Sequence, residues 1–134
     1  MKNVLQQQTV AYWKQGAKRS LSLAHDVFAK KYYDHTLFCG HLAIEKLLKA
    51  RIVDVMNGPA PHSHDLLYLA GLAKLDLTID QQRFLTEVTG YNIEGRYPEE
   101  KLEFHKKITR AVAKNQLEAI TDFYLWLSKR KEKF

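Results

Sequence analysis

Arg96, Tyr97 and Pro98 form the segment with the clearest capacity for ligand binding. A guanidinium can donate two parallel hydrogen bonds to a phosphate, and an adjacent tyrosine can stack on a base. Residues 90–98 have no helical period, which is typical of a loop, and Asn92 adds an amide there. Arg96, Tyr97 and Asn92 are therefore predicted to bind a nucleotide or RNA. The alternative is a connecting loop in which Arg96 pairs with a nearby acid and Tyr97 packs on the core.

Lys46, Lys49 and His41 are a second candidate group. The lysines are three residues apart, on one side of a helix, where they can neutralise a phosphate. The alternative is a solvated face on which Glu45 and Lys49 form an ordinary i, i+4 pair. His41 has an ordinary pKa near neutrality, so it is a candidate acid or base. Its alternative role is that of a hydrogen-bonded helix histidine at a dimer surface.

Other reactive side chains have simpler explanations. His62 and His64 resemble half of a metal site, but no cysteine or acidic cluster completes it, so neither a metal nor a cofactor is expected. Ser63 between them is predicted to cap a helix. Cys39 is predicted to be a small core residue. Three glutamates follow Pro98 and suit the positive end of a helix: Glu99, Glu100 and Glu103.

These residues must be positioned by helices, because apolar residues recur at spacings of three and four and no hairpin signal occurs. The predicted fold is an all-α bundle of four to five helices. Helices are predicted over about 4–30, 34–56, 63–72, 78–88 and 98–129. The helix over 34–56, which has the broadest apolar face, is expected to pack against the others.

The predicted helix ends rest on local signals. Asp34 is predicted to cap the second helix, and the segment 57–61, with its asparagine, glycine and prolines, is predicted to end it. Thr78 with Gln81 forms a capping-box pattern, and Pro98 suits the first turn of the last helix. That helix is predicted to turn five apolar side chains inward: Ile108, Val112, Ile120, Phe123 and Leu127.

Length and composition limit the class of protein. The 134 residues suit one domain over 1–134, and the formal net charge of +6 favours anionic partners. No apolar run of about eighteen residues predicts a membrane span. The first fifteen residues lack the apolar block of a signal peptide, and the single cysteine cannot form an internal disulfide. These features predict a cytoplasmic protein that does not insert into a membrane.

An ordered set of residues resembles a HEPN domain, a small helical bundle of prokaryotes and higher eukaryotes named for nucleotide binding. The likeness covers nearly the whole chain, and its most specific segments are residues 41–50, a Pro-x-x-His-x-Leu segment from Pro61, and the Arg-Tyr-Pro tripeptide. The remaining marks are Trp13, Ala17, Leu21, Ala24, Tyr32, Tyr33, Phe38 and Asn92.

The resemblance implies an antiparallel up-and-down bundle, usually a homodimer, encoded beside or fused to a minimal nucleotidyltransferase in toxin–antitoxin pairs. Many members resemble metal-independent ribonucleases in which four to six residues separate an arginine from a histidine near the last helix. Here Arg96 and His105 have eight residues between them. Arg19 and His25 have five, but they belong to the first helix. Ser20 also stands where many members carry aspartate.

Three hypotheses follow. The leading one is a homodimeric module that binds a nucleotide or RNA phosphate and acts with a nucleotidyltransferase, which favours a binding protein over an enzyme. The second is a metal-independent ribonuclease toxin, with His105 as acid or base and Arg96 stabilising phosphorane charge. The third is a purely structural interaction module whose basic surface is covered by an acidic protein.

Overall fold

The computed structural model describes residues 3–130, which form six helices and no strands. In chain order these are α1 (Val4–Ala29), α2 (Tyr33–Met56), α3 (Leu66–Leu72), α4 (Ile79–Thr89), α5 (Pro98–Lys107) and α6 (Arg110–Ser128). The prediction of an all-α bundle is confirmed. None of these helices is both long and apolar enough to cross a membrane.

Helix α2 is the central element, since it contacts each of the other five helices. Its most extensive packing is against α1, and the next most extensive is against α6. Leu37, Ile44, Leu48 and Ile52 of α2 are almost completely buried. They meet buried side chains of the other helices: Ala17, Leu66, Leu69, Leu85, Val88, Ile120, Phe123 and Leu127. The predicted role of the second helix as the core element is confirmed.

Two of the predicted helix ends are confirmed. The Thr78 hydroxyl accepts from Gln81 N at 3.1 Å, and the Gln81 side chain accepts from Thr78 N at 3.0 Å, which is a complete capping box. Helix α2 ends at Met56, and Asn57 follows it in the left-handed region with φ of 52°. An asparagine tolerates this conformation better than most residues, so the helix stops there.

Two predicted caps are wrong. Asp34 lies in the first turn of α2, whose cap is Tyr32, and its carboxylate instead accepts from the backbone and ring of His35. Asp65, and not Ser63, caps α3, because the Asp65 carboxylate accepts from the backbone N–H groups of Leu67 and Tyr68. The Ser63 hydroxyl accepts from Asp65 N and orders the turn before the helix.

The last predicted helix is in fact two helices. Ile108 adopts an extended conformation, and the Thr109 hydroxyl accepts from Val112 N at 3.2 Å to begin α6. Because of this break, Val112 is 37% exposed and not inward, and Ile108 is only half-buried. Ile120, Phe123 and Leu127 are buried as predicted.

Candidate functional site

A cavity of about 260 Å³ opens between α1 and α2 and is free of carboxylates. It is lined by Tyr12, Trp13, Gln15, Gly16, Arg19 and Lys46. The described lining contains two cationic side chains and no acidic one, which gives it a formal charge of +2. Such a site attracts an anion and offers it charge-assisted hydrogen bonds.

Lys46 is held at the cavity by contacts with α1. Its Nζ donates to the Ser20 hydroxyl at 3.0 Å. A Cβ at Gly16 would lie 3.3 Å from Lys46 Cδ, so the glycine leaves the space through which the lysine stem passes. Lys46 is therefore fixed in position while it keeps two donors for a ligand.

Arg19 is exposed, and its guanidinium makes no hydrogen bond or ion pair with any residue between 3 and 130. His25, the other half of the pair in the first helix, contacts the Thr121 hydroxyl of α6 at 3.2 Å. The two residues thus have separate surroundings, and Arg19 is available to a ligand of the cavity.

Lys49 does not lie on a solvated face, as the alternative interpretation expected, but is buried. Its Nζ donates to Glu45 Oε2 at 3.1 Å and lies 5.5 Å from the centre of the Trp13 ring. Glu45 Oε1 accepts from His64 Nδ1 at 2.8 Å. Glu45 and Lys49 are each 5% exposed, so this ion pair belongs to the core and Lys49 cannot contact a ligand directly.

His41 is fully buried within one chain and so does not lie at a surface, as one of its predicted roles required. Its Nε2 donates to the carbonyl of His64 at 3.2 Å. Burial lowers the pKa of His41, and the carbonyl of His64 and the charge of Glu45 only partly oppose this effect. His41 is therefore neutral near pH 7, and it ties the segment before α3 to α2.

Among residues 3–130, Arg96 has no acidic partner, and its guanidinium donates to the carbonyl of Gly90 at 2.6 Å. The cavity beside it is lined by Arg96, Glu99, Glu100, Glu103, Phe104 and Lys107. Three carboxylates and two cations give this cavity a charge of −1, which repels an anion. Tyr97 is 72% exposed and does not pack on the core, and Asn92 Oδ1 accepts from Glu94 N at 3.3 Å.

His105 lies in the last turn of α5, whereas Arg96 precedes its first turn. Its Nδ1 is 3.1 Å from Asp34 Oδ2, and the imidazole is 69% exposed. Burial raises the pKa of Asp34, but hydrogen bonds from His105 and His35 outweigh it, so the net effect lowers the pKa. An ionised Asp34 thus orients the His105 ring, as a carboxylate orients a general base.

The predicted site residues therefore fall into four places. Lys46 lines the α1–α2 cavity, and His41 and Lys49 are buried beside Glu45. The loop residues Arg96, Tyr97 and Asn92 precede α5, and His105 lies in its last turn beside Asp34. Tyr12 and Arg19 were missed as site residues. Their spacing with Gly16, at i, i+4 and i+7, places all three on one face of α1 and was the available signal.

Other candidate chemistry has no support in the described chain. No group of three or more histidine, cysteine or acidic side chains within residues 3–130 is arranged to hold a metal ion. Cys39 is buried, as predicted, and burial raises the pKa of its thiol.

Comparisons with known proteins agree with this architecture. The fold is similar to the crystal structure of TT1696 from Thermus thermophilus, with a TM-score of 0.75 and 22% identity, covering 91% of this chain and 98% of that chain. None of the curated proteins compared with the chain matches it. The model of the HEPN domain family matches residues 10–131. This match spans nearly all of the helical bundle, and the chain therefore belongs to the HEPN domain family.

Proposed function

We propose that the protein is a HEPN-domain module that binds the phosphate of a nucleotide or RNA in the cavity between α1 and α2. The observation that carries this proposal is that Arg19 and Lys46 line the same cavity, whose described lining has no carboxylate. Lys46 is held in place by Ser20, and Arg19 has no competing partner among the described residues. Both cations can therefore contact one phosphate without first giving up an ion pair.

The cavity beside Arg96 is a weaker candidate for the same ligand. Its carboxylates repel a phosphate, and the Arg96 guanidinium is already engaged by the Gly90 carbonyl. The α1–α2 cavity thus replaces the Arg96 loop as our leading site. Arg96, Tyr97 and Asn92 remain a prediction that the same binding experiment tests.

The proposed partners follow from the family and from charge. We propose that the module acts as a homodimer with a minimal nucleotidyltransferase partner, as family resemblance implies. The net charge of +6 supports anionic ligands in general. Light scattering on the purified protein measures whether it is a dimer, and co-purification with the product of a neighbouring nucleotidyltransferase gene tests the partner. A monomer that captures no such partner would contradict both the homodimer and the partnership.

Arg19→Ala and Lys46→Ala are each expected to weaken phosphate binding about 10- to 100-fold, the scale of one charged hydrogen bond. Isothermal titration of a 5′-monophosphorylated single-stranded RNA into each variant measures the loss. Higher salt should weaken binding by the wild type, because binding releases counterions from the RNA.

Two controls separate the cavity from general basic charge. Lys114→Ala removes an exposed cation from α6, and Arg96→Ala removes the loop arginine. Both should keep the wild-type affinity. Equal losses in all four variants would mean non-specific attraction, whereas a loss confined to Arg96→Ala would return the site to the loop.

A metal-independent ribonuclease is the second candidate, and the contact between Asp34 and His105 favours it. The ionised carboxylate fixes the tautomer in which Nδ1 carries the proton, so Nε2 can accept a proton from a ribose hydroxyl. Distance argues against a catalytic pair of His105 and Arg96 within one chain, because the helix rises about 10 Å from Pro98 to His105. Arg96 and His105 of one chain therefore start from opposite ends of α5.

If the protein cleaves RNA, His105→Ala is expected to reduce cleavage about 100- to 10,000-fold, the usual contribution of a general base. Asp34→Asn should reduce it less, since the ring stays but loses its orienting charge. The measurement is cleavage of a structured RNA in the presence of EDTA. Full activity of His105→Ala would eliminate the proposed base, and no cleavage by folded wild-type protein would eliminate the ribonuclease function.

A further inference from the structure

Two consecutive aromatic residues of α1, Tyr12 and Trp13, line the α1–α2 cavity. The ring centres of Tyr12 and Trp13 are 6.2 Å apart, and their planes meet at 71°. Tyr12 is 73% exposed. Aromatic rings that line a cavity can contact a planar guest by offset stacking or edge to face.

The Trp13 ring is held from within the protein. The ammonium of Lys49 lies 5.5 Å from its centre, within the range of a cation–π contact, and Glu45 holds that ammonium at 3.1 Å. A buried ion pair thus fixes the indole before any ligand arrives. Preorganisation of this kind lowers the entropic cost of binding.

The size and charge of the cavity limit what it can hold. Its volume of about 260 Å³ lies just below the range of about 300–1,000 Å³ that is usual for drug-sized ligands. The charges of Arg19 and Lys46 balance one phosphate monoester, which carries about −1.5 to −2 at pH 7. The volume therefore suits one nucleotide unit, and the two charges match one phosphate group.

We infer that the cavity takes one nucleoside monophosphate unit whose base is not stacked in a duplex. The base lies against Trp13 and Tyr12, and the phosphate contacts Lys46 and Arg19. This inference rests on the proposed phosphate-binding function and adds the substrate class. A free mononucleotide and the 5′-phosphorylated end of a single strand share this chemistry. A base paired within a duplex does not, because its faces are covered by its neighbours.

Four titrations test the substrate class. Trp126→Phe leaves Trp13 as the one tryptophan, so quenching of its fluorescence reports a base at the cavity. AMP and a 5′-phosphorylated single-stranded RNA should quench it.

Ribose 5-phosphate should bind about 5- to 150-fold more weakly than AMP, the range of one base stacked on an aromatic ring. A blunt RNA duplex should bind no better than ribose 5-phosphate. A preference for AMP over the phosphorylated strand, or the reverse, identifies the source of the ligand.

Substitutions then assign the base contact. Trp13→Leu and Tyr12→Leu should each weaken AMP binding, measured by calorimetry, and leave the affinity for ribose 5-phosphate unchanged. Tyr12 is largely exposed, so its variant keeps the fold even if Trp13→Leu loosens the packing around Lys49. Tyr68→Leu changes an exposed tyrosine of α3 and is the matched control with no expected effect.

The outcomes separate this inference from the proposed function. Equal affinity for AMP and ribose 5-phosphate, both lost in Lys46→Ala, would overturn the base-binding inference and leave the phosphate site in place. An unaltered AMP affinity in both aromatic variants would overturn it as well. Failure of every phosphate ligand to bind would overturn both proposals.

Discussion

Glu45→Ala is expected to lower the free energy of unfolding by about 3–5 kcal/mol, the cost of removing one partner of a buried ion pair. The Glu45 carboxylate is the shared acceptor of two cationic or polar groups: Lys49 Nζ at 3.1 Å and His64 Nδ1 at 2.8 Å. Its loss leaves the Lys49 ammonium in the core beside Trp13 without an anion. The same loss detaches His64, and with it one of the contacts that tie the segment before α3 to α2.

Equilibrium unfolding in urea measures this effect, because a chain of this size is expected to unfold in one cooperative step. Glu100→Ala, an exposed change on α5, is the control and should leave the midpoint nearly unchanged. The stability of Glu45→Gln should lie between those of Glu45→Ala and Glu100→Ala, because the glutamine amide oxygen still accepts a hydrogen bond but carries no charge.

A double variant separates the buried charge from simple loss of packing. Lys49→Met removes the ammonium and keeps most of its volume. If the uncompensated charge dominates, Glu45→Ala with Lys49→Met will be more stable than Glu45→Ala alone. If the double variant is no more stable than that single variant, the loss comes from the His64 contact and the cavity that alanine leaves.

The predictable part of this fold is the part that depends on local pattern. The apolar spacing of α1 and α2 and the capping box of Thr78 and Gln81 are properties of short segments, and the structure agrees with them. The break between α5 and α6 has a weaker signal. No glycine or proline lies between Lys107 and Arg110, and a threonine cap inside a continuous apolar pattern resembles an ordinary helical residue.

The buried polar row of α2 was visible in the sequence, but its surroundings were not. His41, Glu45 and Lys49 follow one another at steps of four whether that face is solvated or covered. What buries them is the return of His64 across α2 and the position of Trp13 on α1, which are contacts between distant segments. Helical periodicity contains no information about such contacts.

The candidate cavity was hidden for the same reason. Arg19 and Lys46 are far apart in sequence, and only the relative position of α1 and α2 brings them to one cavity. The Arg-Tyr-Pro tripeptide was more conspicuous because its residues are adjacent. Glu99 and Glu100 lie in the first turn of α5 as predicted, whereas Glu103 lies beyond it. Together their three carboxylates make the cavity beside Arg96 unfavourable for an anion.

Gly40→Leu is expected to lower the free energy of unfolding. Overpacked cores lose about 1–3 kcal/mol, and the decrease here should be near the upper end of that range. Gly40 is buried where α2 meets α6, and a Cβ there would lie 2.7 Å from Ile120 Cδ1 and 3.3 Å from its Cγ2. A leucine side chain cannot enter this space unless Ile120 leaves its rotamer or α6 moves away. The gain in helix propensity over glycine, about 1 kcal/mol at most, offsets only part of that cost.

Two further variants test the steric origin of this loss in the same urea experiment. Gly71→Leu places leucine on α3, where a new Cβ meets no atom within 4 Å, so stability should stay the same or rise. Gly40→Leu with Ile120→Ala should lose less than the two single variants added together, because alanine vacates the space that leucine needs. Strict additivity would contradict a clash with Ile120, and a gain in stability from Gly40→Leu alone would mean that α2 and α6 separate at little cost.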